Sequence, residues 1–119
     1  MKRGTLFAEG LQKTLLSFRR ERDWEQFHNL RTLSVTLALE CAELVEVTQW
    51  ASDEEVKVAA VRERARIQDE IADIAIVLAY LVNDLGIDLA QVVKAKLEKN
   101  AKKYPVAKAR GVATKYDRL

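Results

Sequence analysis

The sequence is poor in residues that break or staple a chain: 119 residues contain four glycines, one proline and one cysteine. Turn-rich β sandwiches and barrels need Gly, Pro or Asn at many tight turns. Gly4, Gly10, Gly86, Gly111 and Pro105 are too few for that and favour a handful of long helices. Cys41 alone excludes an internal disulfide framework and points to a reducing, cytoplasmic setting. His28, the only histidine, excludes a multi-histidine zinc or di-iron site within one chain. Charge of one sign is also missing, because 20 basic and 18 acidic side chains leave a net +2, so no field marks a membrane or specific nucleic-acid partner. The most apolar stretch, Ile71 to Val82, carries Asp73 and falls short of the ~20 residues that span a bilayer. The start, MKRGTLFAEGLQK, has basic residues but no apolar run of signal-peptide length. The length fits one domain over residues 1–119.

What is present reads as helices. Leu6, Leu11, Leu15 and Phe18 recur at helical spacing from Gly4 to about Asp23. Residues 23–29, DWEQFHN, interrupt the pattern as a connector. Leu30, Leu33, Leu37, Cys41 and Leu44 form one stripe on a second helix that extends to about Ala51. Ser52 followed by Glu55 has capping-box spacing and opens a third helical region. That region runs to about Asn83, with a break expected among Lys57 to Val61 and a stop at Gly86. Its second half, IADIAIVLAYLV, is apolar on every side and calls for cover from another subunit. Asp88 caps a fourth helix, Leu89 to Lys103, with Val92, Val93 and Leu97 expected inward, and Tyr104-Pro105 ends it. The basic remainder is either disordered or folded over a neighbour.

Two acidic couples stand out, Glu40 with Glu43 and Glu70 with Asp73. Three residues turn a helix by about 300°, so each couple projects two carboxylates from one face and can grip one ion. For either couple alone, solvated helix surface with Arg62, Arg64 and Arg66 as partners is a sufficient explanation. Asp73 is different, because it sits amid Ile71, Ile74, Ile76 and Val77, where an unpaired carboxylate costs several kcal/mol and requires a cation or a strong donor. Oxygen-only ligands suit a hard ion, Mg²⁺ or Mn²⁺, and magnesium commonly shares its coordination with substrate phosphates.

The runs DWEQFHNLRTLSVTLALECAELVEVTQW, QDEIADIAIVLAYLV and KAKLEKNAKKYPVAKARGVATKYDRL resemble the MazG-like all-α nucleotide pyrophosphohydrolases, and within them the small dCTP pyrophosphatase subgroup. The resemblance runs from Asp23 to the C-terminus and rests on ordered motifs: FH, Glu-x-x-Glu, QW, Glu-x-x-Asp and a closing K-x-x-x-N-x-x-x-Y-P. It implies an oligomeric, four-helix-bundle-like fold and Mg-dependent hydrolysis of deoxynucleoside triphosphates, dCTP or modified forms among them, to the monophosphate and pyrophosphate.

It further implies Glu40, Glu43, Glu70 and Asp73 as metal ligands, with Glu43 or Glu46 orienting the attacking water or taking its proton. His28 and Trp50 would enclose the base, joined by Trp24 and Phe27, while Lys96, Asn100 and Tyr104 would contact phosphates. Lys115 and Tyr116 fall in the matching C-terminal segment. Two departures bear on base selectivity: Val77 stands where the subgroup has an aromatic, with Tyr80 one turn on, and Leu30 replaces a proline after the FH. The competing reading is a non-catalytic helical dimerisation or regulatory module whose carboxylates pair with arginines across an interface. A carboxylate-bridged di-iron bundle fits poorly without Glu-x-x-His motifs.

Overall fold

The structure is a computed structural model that describes residues 4–119; Met1, Lys2 and Arg3, the basic start of the stretch considered above as a leader, lie outside the described residues. The chain order is α1 (Glu9–Glu21), α2 (Leu30–Glu46), α3 (Asp53–Arg62), α4 (Arg64–Asp84), α5 (Leu89–Lys103) and α6 (Val106–Ala109), with 3₁₀ turns at Glu25–Phe27 and Tyr116–Arg118. Among the described residues there is no strand, and no single helix is long and apolar enough to cross a membrane.

Local chemistry sets most of the boundaries. α1 begins at Glu9 rather than Gly4, because Gly4 has φ +78° and its N–H donates to the Ile87 carbonyl at 2.8 Å, tying the entry segment to the loop after α4. At the other end of α1, the Asp23 and Trp24 N–H groups return to the Arg20 and Arg19 carbonyls, a Schellman closure with Asp23 at φ +55°. Asp tolerates that left-handed backbone better than most residues, and the reversal sends the chain toward Trp24 and His28. Asn29 then caps α2 reciprocally: its Oδ1 accepts from the Thr32 N–H and its own N–H donates to Thr32 Oγ1, both at 3.0 Å.

α2 stops at Glu46, short of Ala51, as residues 47–51 tighten into turns through the β-branched pair Val47 and Thr48. The break in the third region falls at Glu63, just beyond the expected window. Ser52 caps α3, but only half of the box forms, because Glu55 takes the Ser52 hydroxyl instead of the Ser52 N–H. Gly86, at φ +61°, ends α4 in a second Schellman closure in which Ile87 N–H reaches Val82 O. Asp88 accepts from the Gln91 N–H and opens α5 where expected.

α4 is the hub, packing most extensively on α2 and also on α1 and α3. The core joins Leu15, Leu33, Val77, Ala79 and Tyr80, with Leu6, Phe7, Leu16, Leu37, Ile76 and Leu81 against it. Tyr80 also links α1 to α4 by donating its hydroxyl to the Leu15 carbonyl at 2.9 Å.

Several inward expectations need correction. Cover over α4 is confined to its second half, so Val77, Ala79, Tyr80 and Val82 are buried while Ile71, Ala72 and Asp73 are exposed. Leu30 and Cys41 likewise leave the α2 stripe exposed at those points, whereas Leu33 is buried. Val92, Val93 and Leu97 are exposed, because α5 turns away from α4 at 101° and has no comparable packing in its own chain. The C-terminal segment is ordered as α6 and a 3₁₀ turn, and it returns to the end of α5 through an edge contact of Tyr104 with Tyr116 and Lys103 over the Tyr116 ring.

Truncation at the hub and at the cap should separate cleanly in urea denaturation. Leu33→Ala is expected to lower stability by about 2–5 kcal/mol, and Asn29→Ala by about 1 kcal/mol.

Candidate carboxylate site and its cavity

α2 and α4 run antiparallel, so Leu33 shares the core with Val77 while Glu40 lies across from Glu70. The same pairing brings Arg66 within 3.7 Å of Glu46 one turn further along. Because Glu40 and Glu43 occupy one face of α2, both meet the Glu70 turn of α4. One oxygen from each of Glu40, Glu43 and Glu70 lies within 4.8 Å of the other two. One oxygen of Glu40 and one of Glu70 are buried and accept no hydrogen bond among the described residues.

The electrostatic consequence is mutual destabilisation of the ionised forms. Loss of solvent raises the Glu40 carboxyl above its ordinary value, and the charges of Glu43 and Asp73 add to it. Glu70 is raised in the same direction, by desolvation first and then by hydrogen bonding and repulsion from Glu43. Buried, unpartnered acceptors on two of three converging carboxylates are an arrangement a divalent cation would satisfy, and the all-oxygen donor set fits a hard one. No arginine of the same chain pairs with Glu40 or Glu70 among the described residues.

The other expected site residues separate into two groups. Asp73 is exposed and not lodged among buried isoleucines, because the first half of α4 is uncovered; it stands outside the three-carboxylate convergence but lines a cavity with Glu40. That cavity, about 310 Å³, is walled by Phe18, Trp24, His28, Leu33, Thr36, Ile76, Val77 and Tyr80. His28 and Trp24 therefore reach the carboxylates' neighbourhood, and Tyr80 presents an aromatic ring beside Val77. Phe27 is exposed outside the wall. Glu46 lies outside the cluster, in an exposed pair with Arg66 at 3.7 Å, and Trp50, 89% exposed in the turn after α2, lines no part of the cavity. Lys96, Asn100 and Tyr104 ride on or beside α5, outside the cavity wall of their own chain, as do Lys115 and Tyr116 in the C-terminal segment.

Sequence reasoning missed one feature behind this wall, the ion pair of Arg19 with Asp84. Arg19 donates Nη1 to Asp84 Oδ2 at 2.9 Å and Nη2 to Oδ1 at 2.6 Å, with its guanidinium 4.7 Å from the Tyr80 ring. The signal was present as charges placed in apolar registers: Arg19 continues the Leu11–Leu15 stripe at four-residue spacing, and Asp84 follows Tyr80 by the same step.

Comparison with known proteins gives a consistent picture. Residues 35–119 match the model of the MazG-like family. The chain is similar to dCTP pyrophosphatase 1 of Bos taurus, with 43% identity over 113 residues, 93% of this chain and 67% of that protein. The Homo sapiens dCTP pyrophosphatase 1 is 38% identical, with 93% of this chain and 66% of that protein covered, so the chain spans about two thirds of the length of these relatives. A crystal structure of a pyrophosphatase from Archaeoglobus fulgidus superposes with a TM-score of 0.78 at 38% identity, covering 82% of this chain and 91% of that one.

The raised carboxyls carry a pH signature. Their contribution to stability is present below the unfolded carboxylate range and is lost as pH rises through the raised folded values, where mutual repulsion sets in. With chelator present, Glu70→Gln is expected to raise the Tm at neutral pH, with the gain fading toward pH 4. Adding a divalent cation should raise the wild-type Tm more than that of the variant.

Proposed function

The chain belongs to the MazG-like family and is a nucleotide pyrophosphohydrolase, and on that premise we propose that it converts dCTP, or a modified deoxynucleoside triphosphate, to the monophosphate and pyrophosphate with Mg²⁺ or Mn²⁺. The observation that carries this reading is the convergence of Glu40, Glu43 and Glu70, with two buried unpartnered oxygens, beside a cavity walled by aromatic side chains. The relatives' name supports cytosine as the base.

In this reading Glu40, Glu43 and Glu70 hold the metal, and Asp73, on the rim beside Glu40, completes the set. When bound, the divalent ion supplies positive charge against the triphosphate oxygens and makes water more acidic. Glu43 is the preferred group to orient the attacking water and accept its proton, since Glu46 is engaged by Arg66. Trp24, Tyr80 and His28 hold the base, the rings by stacking and the imidazole by a hydrogen bond to the base edge. Trp50 belongs to the same role only if a neighbouring copy brings it there.

Lys96, Asn100 and Tyr104 serve as phosphate donors. Because α5 stands away from the carboxylates of its own chain, this role falls to α5 of a second copy, and the working form is a homo-oligomer, dimer or tetramer, of one domain spanning residues 1–119. Exposure of Leu11, Phe18, Ile71, Val92, Val93 and Leu97 supports self-association. A cytoplasmic location, the setting expected from the single cysteine, belongs to the same proposal.

A panel of canonical and modified dNTPs, read by pyrophosphate release, tests the proposal. Turnover is expected with Mg²⁺, to be lost with chelator, and to fall about 10²-fold or more in Glu43→Gln and in Asp73→Asn. Wild-type turnover in both variants would overturn the assignment.

A further inference from the structure

His28 contacts more than the cavity. On its far side the Nδ1 atom lies 3.2 Å from Arg19 Nη1. A guanidinium has only donors, so Nδ1 must be the acceptor, and the neutral ring then carries its proton on Nε2. Nε2 makes no hydrogen bond among the described residues, although the ring lines the cavity. Arg19 is itself immobilised: its side chain is 8% exposed, both terminal nitrogens are committed to Asp84, and its face lies on the Tyr80 ring. Tyr80 in turn is 5.1 Å from the imidazole and anchored through its hydroxyl to Leu15.

We propose that Arg19, held by Asp84, is a positioning residue that locks His28 as a permanent Nε2–H donor in the cavity, so that the site selects a base presenting an acceptor at the centre of its edge, as cytosine does through N3. A thymine or uracil base, which carries N3–H, offers a donor at the centre of the same edge and is disfavoured where the two donors meet. The inference rests on the nucleotide reading above. Arg19 touches neither substrate nor metal in this scheme; it acts through His28.

The charge environment supports the lock. Groups that bear on the imidazole are Arg19 on α1, Glu25 in the 3₁₀ turn, and Tyr80 and Asp84 on α4, with Glu40 and Asp73 at the opposite end of the cavity. Burial and the Arg19 charge lower the His28 pKa, against the weaker pull of Asp84 and Glu25, which keeps the ring neutral near pH 7. Burial alone would raise the Asp84 carboxyl, but hydrogen bonds from Arg19 and Asn83 and the Arg19 charge hold it below the ordinary range, so the anchor stays ionised.

Because His28 is the only histidine, long-range ¹H–¹⁵N correlation of the full chain reads one imidazole without assignment. The expected wild-type spectrum at pH 7 has a pyridine-like Nδ1 and a pyrrole-like Nε2. Arg19→Met combined with Asp84→Leu removes the pair without stranding a buried charge. In that variant, with helicity and melting checked, the nitrogens should move to averaged tautomers and the ring should titrate closer to pH 6.5. The KM for dCTP should rise about tenfold and the preference for dCTP over dTTP should fall by a similar factor, with kcat little changed.

A wild-type ring protonated on Nδ1, or a folded double variant with unchanged spectrum and unchanged selectivity, overturns the proposal. Should the double variant not fold, Arg19→Lys decides, since it keeps a donor to Nδ1 and must retain the wild-type tautomer. Wild-type protein inactive on every nucleotide, with the Nε2–H tautomer in place, overturns the nucleotide reading and with it the assignment of the donor to a base.

Discussion

Three carboxylates held within reach of one another across a helix pair are the constraint on which the rest of the structure depends. Like charges at this spacing repel, and two of the groups have buried oxygens without a hydrogen-bond partner among the described residues. Such a cluster survives only because the packing beside it over-determines the position of α2 against α4. Leu33, Val77, Ala79 and Tyr80 supply that packing a few turns away, where the side chains are buried. The helix pair is thus apolar at one end and acidic at the other. Cohesion at the first end maintains strain at the second, which a cation would relieve.

The division of α4 into a buried and an uncovered half gives the cavity its chemistry. At the boundary between the halves, the wall changes from aliphatic and aromatic residues to Glu40 and Asp73 over a short distance. In the proposed reading, a molecule with a flat ring and an anionic tail would match that gradient, with its ring toward Trp24, His28 and Tyr80 and its tail toward the acidic end. Behind the aromatic wall, the Arg19–Asp84 pair is a second electrostatic element of a different kind. Both terminal nitrogens of Arg19 are committed to Asp84, while its buried Nε has no partner among the described residues. Tyr80, one turn beyond the position where the subgroup has an aromatic, is part of both the core and this wall, so Val77 does not leave the pocket without a ring.

Much of the local structure was legible because its causes are local. Asp88 and Ser52 announce caps, Gly86 announces a stop, and the three-residue spacing of Glu40–Glu43 and Glu70–Asp73 reports a shared face through helix geometry alone. Expectations that depended on what covers a face fared differently. The apolar run from Ile71 predicted a buried Asp73, but α1 and α2 reach only the second half of that helix, and the aspartate stands at the surface. Val92, Val93 and Leu97 form a periodic stripe, yet periodicity cannot say whether the facing surface belongs to the same chain; α5 diverges at 101° and leaves them bare.

The sequence by itself determined an all-helical chain, the caps at Ser52 and Asp88, the stop at Gly86 and the acidic couples, since each follows from residue type and spacing along one helix. Tertiary structure decided which carboxylates meet, that Glu46 lies outside the cluster beside Arg66 while Glu43 stays in it, and that Arg19 reaches across 65 residues of chain to Asp84. The physical reason is that a helix face is a local property, whereas convergence depends on the register and angle at which two faces pack. Those are set by the shapes of core side chains far from the charges they bring together.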